Sequence, residues 1–194
     1  MHLYLIAIVF FHVLSLQRFC SAGVPFWELQ EFLNTGRRIW LYATSQPLQW
    51  EGYNATCIYY RTKNLTDTSV ALSYQAVWNT TLHGNITVQA TLIKYPIPSM
   101  TMTDWNGKHV KKELQYYSKF LWCAIFFVRL IDDEIATGPW CELHVYGLAL
   151  REAFKNGSSF TECDGKFNQI CGKQRAEITL VTKNCTNIKK QMNE

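Results

Sequence analysis

The chain contains no His-Glu-x-x-His, Gly-x-Ser-x-Gly or Cys-x-x-Cys motif and no glycine-rich phosphate loop. Zinc-protease, serine-hydrolase, dithiol-redox and nucleotide-hydrolase chemistries therefore lack the groupings they require. No enzyme activity and no cofactor are expected. A strong excess of charge is also missing. Nineteen basic against fifteen acidic side chains leave +4, too mild and too dispersed for nucleic acid. The only local concentration of positive charge, Lys108, Lys111 and Lys112, reads as a solvated strand edge. Asp132-Asp133-Glu134 lacks the ligand spacing of a calcium loop and reads as a solvated acidic turn, so no metal site is expected. There is no internal repeat, low-complexity stretch or linker, which argues against a second domain.

Long apolar runs are scarce as well. One spans Leu3 to Leu16, broken only by His12 and Ser15, and the next, Phe120 to Ile131, contains Arg129. Both fall short of the roughly 20 residues of a spanning helix. The first ends in Cys20-Ser21-Ala22, small residues that suit signal peptidase. Residues 1–22 are thus expected to be a signal peptide cleaved after Ala22, and residues 23–194 a single secreted, extracellular domain. No membrane association is expected after cleavage, and the product should be a monomer. Loss of Arg18 with the leader leaves eighteen basic side chains against fifteen acidic ones. Six Asn-x-Ser/Thr sequons, at Asn54, Asn64, Asn79, Asn85, Asn156 and Asn184, point to a heavily glycosylated product.

What the sequence does have is cysteine and aromatic residues in a regular pattern. Six cysteines follow the leader: Cys57, Cys123, Cys141, Cys163, Cys171 and Cys185. An even number in a small secreted domain reads as a disulfide framework. Pro25 to Thr35 reads as a short helix, with Phe26, Leu29 and Leu33 on one face, Trp27 beside them and Gly36 at its end. Period-two alternation then predicts eight strands: Arg38–Ser45, Thr56–Thr62, Val70–Asn79, Asn85–Lys94, Met100–Asp104, Lys108–Ser118, Leu121–Leu130 and Trp140–Leu148. Turn chemistry separates them, at Trp50-Glu-Gly, Leu82-His-Gly-Asn, Tyr95-Pro-Ile-Pro, Trp105-Asn-Gly and Thr137-Gly-Pro. Strands in meander order argue for an all-β, up-and-down antiparallel barrel. After Asn156 a helical stripe of Phe160, Cys163, Phe167, Ile170 and Cys171 should pack on the outer wall. Glu177–Cys185 looks extended.

Two signals set which way the strands face. A small barrel admits only side chains or one small ligand, so cysteines bonded to a packed helix must point outward. Cys123 and Cys141 then face out, turning Trp122, Ala124, Phe126 and Val128 inward, with Glu142, His144 and Tyr146 on the next strand. Independently, glycan acceptors at Asn79 and Asn85 must meet water. That turns Leu72, Tyr74, Ala76 and Trp78 inward, and likewise Ile86, Val88, Ala90 and Leu92.

These residues resemble the salivary lipocalins of ticks, whose best-known members are histamine-binding proteins. The resemblance rests on the opening Trp27-Glu-Leu helix, the strand Ile39-Trp-Leu-Tyr-Ala-Thr, and Cys57 about a dozen residues later. It continues with Cys123-Ala-Ile, then Glu142-Leu-His, then Cys163. It implies an eight-stranded lipocalin barrel and the pairings Cys57–Cys185, Cys123–Cys163 and Cys141–Cys171, where spacing alone leaves fifteen connectivities open. It further implies stoichiometric sequestration of a small host mediator, histamine or another biogenic amine, in the barrel. The departures are Ala124 in place of an acidic residue, His144 in place of an aromatic one, and no aspartate in the turn Gln46–Tyr53. Of the family's cavity carboxylates, Glu142 alone is clearly retained.

The expected ligand-binding set is Glu142, His144, Tyr146, Trp122, Phe126, Tyr74, Trp78, Lys112 and Tyr116. An unpaired carboxylate inside a barrel needs a partner, which makes Glu142 the counter-charge for an amine. His144 is either its hydrogen-bonded neighbour or a ligand contact. Lys112 shares a strand face with Leu114 and Tyr116. It is expected in solvent at the barrel mouth, the alternative being a partner for the carboxylate of a fatty-acid-derived mediator such as a leukotriene or thromboxane. A third reading is a protein-binding inhibitor acting through the outer surface.

Overall fold

Alternating apolar and polar residues build eight strands that close on themselves. The computed structural model describes residues 23–132, 138–156, 161–172 and 177–187. The leader and its expected cleavage site, Asp133, Glu134 and Thr137 of the acidic connection, and Phe160 lie outside the described residues. The strands are β1 (Ile39–Thr44), β2 (Thr56–Lys63), β3 (Ser69–Trp78), β4 (Thr81–Ile93), β5 (Ser99–Thr103), β6 (His109–Ser118), β7 (Cys123–Leu130) and β8 (Trp140–Tyr146). Each pairs antiparallel with the next. β8 returns to β1, with Ile39 opposite Tyr146 and Thr44 opposite Glu142. Closure leaves no exposed sheet edge. The architecture is that of a lipocalin.

The phase expected from the cysteines and the sequons holds for most of the barrel. Leu72, Tyr74, Ala76, Trp78, Val88, Ala90, Leu92, Ala124, Phe126 and Val128 belong to the interior cluster. Cys123, Ile125, Cys141, Leu143 and Val145 belong to a second cluster on the outer wall. Thr87, Gln89 and Thr91 are exposed, as are the sequon residues Asn54, Asn64, Asn79, Asn85 and Asn184.

The turn between β3 and β4 lies earlier than Leu82-His-Gly-Asn. It is Asn79-Thr80, with φ of 46° and 62°, the doubly left-handed geometry whose twist suits a two-residue hairpin. Leu82 and His83 are strand residues opposite Val77 and Ala76.

Among the described residues four helical segments surround the barrel. In α1 (Phe26–Leu33), Leu29, Phe32 and Leu33 are buried, whereas Trp27 is 59% exposed. Phe32, not Trp27, completes the packed face. Helix α2 (Gly147–Asn156), which the sequence reading did not anticipate, follows β8 directly and precedes the helix expected after Asn156. Its apolar spacing places Leu150 and Ala153 against the wall. In α3 (Thr161–Cys171), Cys163, Phe167 and Cys171 face that same outer cluster. Disulfides join Cys57 to Cys185, Cys123 to Cys163 and Cys141 to Cys171, with Cα separations of 5.2, 6.6 and 6.0 Å. The last segment is extended only at Ile178–Thr179, which pairs with β1. Lys183–Asn187 turns helically instead, because the bond to Cys57 holds Cys185 back against the barrel. Among the described residues no helix is long and apolar enough to cross a membrane.

Candidate functional site

The two ends of the barrel are closed differently. At one end α1 inserts Phe32, which stacks on Tyr146 at 5.5 Å and meets Phe126 and His144 edge-on or tilted. The Tyr146 hydroxyl donates to the Phe32 carbonyl at 2.8 Å. At the other end Trp50, Trp78 and Trp105 form a triangle with ring separations of 5.4 to 6.2 Å. Trp50 sits on a small hairpin, Gln49–Trp50 against Tyr53–Asn54, turned by Glu51 and Gly52 with φ of 50° and 82°. It is half-buried, while Trp105 is fully buried.

Between these ends runs a buried polar chain. Lys112 on β6 donates from Nζ to Glu142 Oε2 at 2.8 Å and lies 3.2 Å from Asp104 Oδ2. The indole N–H of Trp140 donates to Glu142 Oε1 at 3.1 Å. His144 Nε2 lies 3.0 Å from Glu142 Oε2, and His144 Nδ1 lies 3.2 Å from the Tyr60 hydroxyl. Every member of this chain except Asp104 and Trp140 is at most 1% exposed. The Tyr74 hydroxyl, on a ring tilted against Tyr60 at 5.0 Å, is buried without a hydrogen-bond partner.

The charges follow from these contacts. Burial pushes the Glu142 carboxyl up, but the Lys112 ammonium and the His144 hydrogen bond outweigh it and hold it at about 2. Burial likewise opposes the Lys112 charge, and the two carboxylates more than restore it. Asp104, with one edge of the shared ammonium and Glu142 close by, is pushed up by burial and by that second carboxylate. Burial depresses His144, with its Glu142 contact acting against the shift. A neutral ring donates from Nε2 to Glu142 and accepts at Nδ1 from the Tyr60 hydroxyl. Inside the barrel, two carboxyl groups thus face one ammonium.

Most of the expected set converges here, with three corrections. Glu142, His144, Phe126 and Tyr74 line the interior, Trp78 closes one end and Tyr146 the other. Lys112 is inside, not at a solvated mouth, because its face of β6 continues that of Val110 and Leu114. Of the other two lysines, Lys108 is exposed and Lys111 pairs with Glu113 at 2.7 Å. Tyr116 is outside. A bulge between Leu114 and Tyr116 inserts Gln115, and the phase reverses, so that Tyr117 packs toward the interior instead. Trp122 precedes β7 in a left-handed conformation, φ 60°, and stands at the α1 end, 6.2 Å from the Tyr146 ring and 5.1 Å beneath the Arg37 guanidinium.

Asp104 is the residue sequence reasoning missed. It gives the interior a second carboxyl, so Glu142 is not alone. The signal was present: Met100, Met102 and Asp104 alternate on one face. Tyr60 and Trp105 were missed too, although Tyr60 follows Ile58 at the same spacing.

No protein-family model matches the chain, and no curated protein matches it. Among solved structures the chain is similar to that of AM182 in its serotonin complex, with 20% identity and a TM-score of 0.58 over 86% of this chain and 96% of that one. At such identity the likeness bears on the barrel fold alone.

Proposed function

We propose that this protein is a secreted lipocalin of the tick salivary type that holds one small amine inside its barrel, stoichiometrically and without turnover. The observation that carries the reading is the pairing of two buried carboxyl groups, Asp104 and Glu142, with a single ammonium, that of Lys112. A surplus carboxylate in a dry interior is costly unless a proton or a second cation balances it. A ligand ammonium supplies that cation. Tyr74, with its unpartnered hydroxyl, and the rings of Tyr60, Phe126 and Trp105 provide an aromatic surround for a flat amine such as serotonin or histamine. A protein of the same fold forms a complex with serotonin, a flat amine of this kind.

A fatty-acid-derived mediator fits less well. Its carboxylate would need Lys112, whose ammonium is already engaged by two carboxyl groups.

Calorimetric titration of the secreted protein with serotonin, histamine and a leukotriene tests the reading. One amine should saturate at one equivalent, and Glu142→Gln should weaken it by roughly 2–5 kcal/mol, the cost of a poorly compensated buried charge. Saturable leukotriene binding together with indifference to both amines would refute it.

A further inference from the structure

The outer wall carries a concave site unrelated to the barrel interior. A groove of about 900 Å³ lies between α2, the start of β1 and the middle of β2, and its lining includes Arg37, Arg38, Arg61, Arg151, Lys155 and Lys183. Its apolar members are Trp40, Leu148, Leu150 and Phe154. The volume is that of a small-molecule site.

None of the four arginines makes an ion pair among the described residues. Arg37 and Arg38 lie over the rings of Trp122 and Tyr59, at 5.1 and 4.9 Å. Arg61 and Arg151 are exposed. The one carboxylate on the same helix, Glu152, lies 3.5 Å from Lys155. Gathering so many cations around one concavity is unfavourable unless an anion fills it. Arginine, which predominates, presents a planar fork of donors matched to the oxygens of a phosphate. Gly147 contributes by having no side chain: a Cβ there would stand 3.1 Å from Trp40 Nε1. Both Gly147 and Trp40 belong to the groove lining, so the indole nitrogen lies at its wall.

We infer that this groove is a second ligand site, for a compact polyanion with a flat apolar body, of the nucleoside polyphosphate class. The arginines take the phosphates and the Phe154 and Leu148 side takes the ring. A sulfated glycan is the competing occupant of a basic surface. Such chains suit extended basic tracks, whereas this site is concave and has an apolar lining.

The test is calorimetry on the glycosylated protein, because the sequons at Asn156 and Asn184 sit in elements bordering the groove. ATP, tripolyphosphate and a heparin tetrasaccharide are titrated at low and at physiological salt. Saturable one-to-one ATP binding is expected, weakening as salt rises. The double variant Arg61→Ala/Arg151→Ala should lose at least about tenfold in ATP affinity with its serotonin titration unchanged, which keeps this site separate from the interior one. Tripolyphosphate, lacking the ring, should bind more weakly than ATP. Absent ATP saturation at low salt, an unaltered affinity in the double variant, equal affinity for tripolyphosphate, or binding of heparin alone would each overturn the assignment. Arg151→Gln, on an exposed helix position, gives the same readout if the double variant folds poorly.

Discussion

Lys112 and Glu142 meet at 2.8 Å across the intervening strand β7, thirty residues apart in sequence and both at most 1% exposed. Neither would be tolerated there alone. Their contact puts an ammonium of the protein itself where an amine ligand would otherwise find both carboxylates unoccupied, and this arrangement governs the first prediction.

Lys112→Met should leave Asp104 and Glu142 facing each other without a cation. Removing one partner of a buried pair typically costs about 3–5 kcal/mol, so the melting temperature should fall markedly. Serotonin should then bind more tightly than to the natural protein and restore much of the lost melting temperature, since its ammonium takes the vacated position. Thermal melts with and without ligand check both halves. A variant that is destabilised but not rescued by any amine would count against the proposed function.

Trp50 stands on the small hairpin at the tryptophan end, 5.4 Å from Trp78. Interior polar groups are closed to solvent, so a ligand must pass this ring or the α1 plug. Trp50→Ala should raise the association and dissociation rates together, changing affinity much less. Stopped-flow fluorescence measures this directly, and unchanged rates would move the entrance to the α1 end.

Asp164 on α3 has a carboxyl oxygen without a hydrogen-bond partner, and burial, with help from Glu177, pushes its pKa to about 6. A folded value above the unfolded one, near 3.9, means the protonated form is favoured by folding. The associated stability is complete below about pH 4 and is lost as pH rises through 6. Asp164→Asn should abolish that slope and stabilise the protein at pH 7 by about 1 kcal/mol, a figure reduced for the group's partial exposure. Denaturant midpoints at pH 4 and pH 7 test the sign.

The Cys57–Cys185 bond spans 128 residues and ties the C-terminal segment to β2. Replacing both cysteines by alanine should cost about 2–5 kcal/mol and release Lys183–Asn187, leaving the strand pairing intact. Peptide mapping without reduction should recover all three bonds, and hydrogen exchange on the variant should show new openness confined to residues near 178–187.

Much of the barrel was legible because its signal is local. Side chains of a strand alternate with period two, so outward cysteines and outward sequons fix the inward set without knowledge of any partner strand. That logic placed Glu142, His144, Phe126, Tyr74 and Trp78 inside. It failed at Tyr116, where the inserted Gln115 changes the count, and such bulges leave no composition signature in this strand. It failed for Trp122, which lies beyond the first ladder residue of β7.

By itself, then, the sequence determined the strand phases, the outward cysteines and the presence of one interior carboxylate, all through spacing along a single chain segment. Only the tertiary structure decided that Lys112 is buried, that Asp104 is its second partner, and that arginines from positions 37 to 151 border one groove. The physical reason is common to all three. A lysine is tolerated in a barrel only when carboxylates arrive from other strands, and a basic groove exists only once a helix following β8 packs back beside β1 and β2. Those coincidences are set by register and closure, which no window of the chain contains.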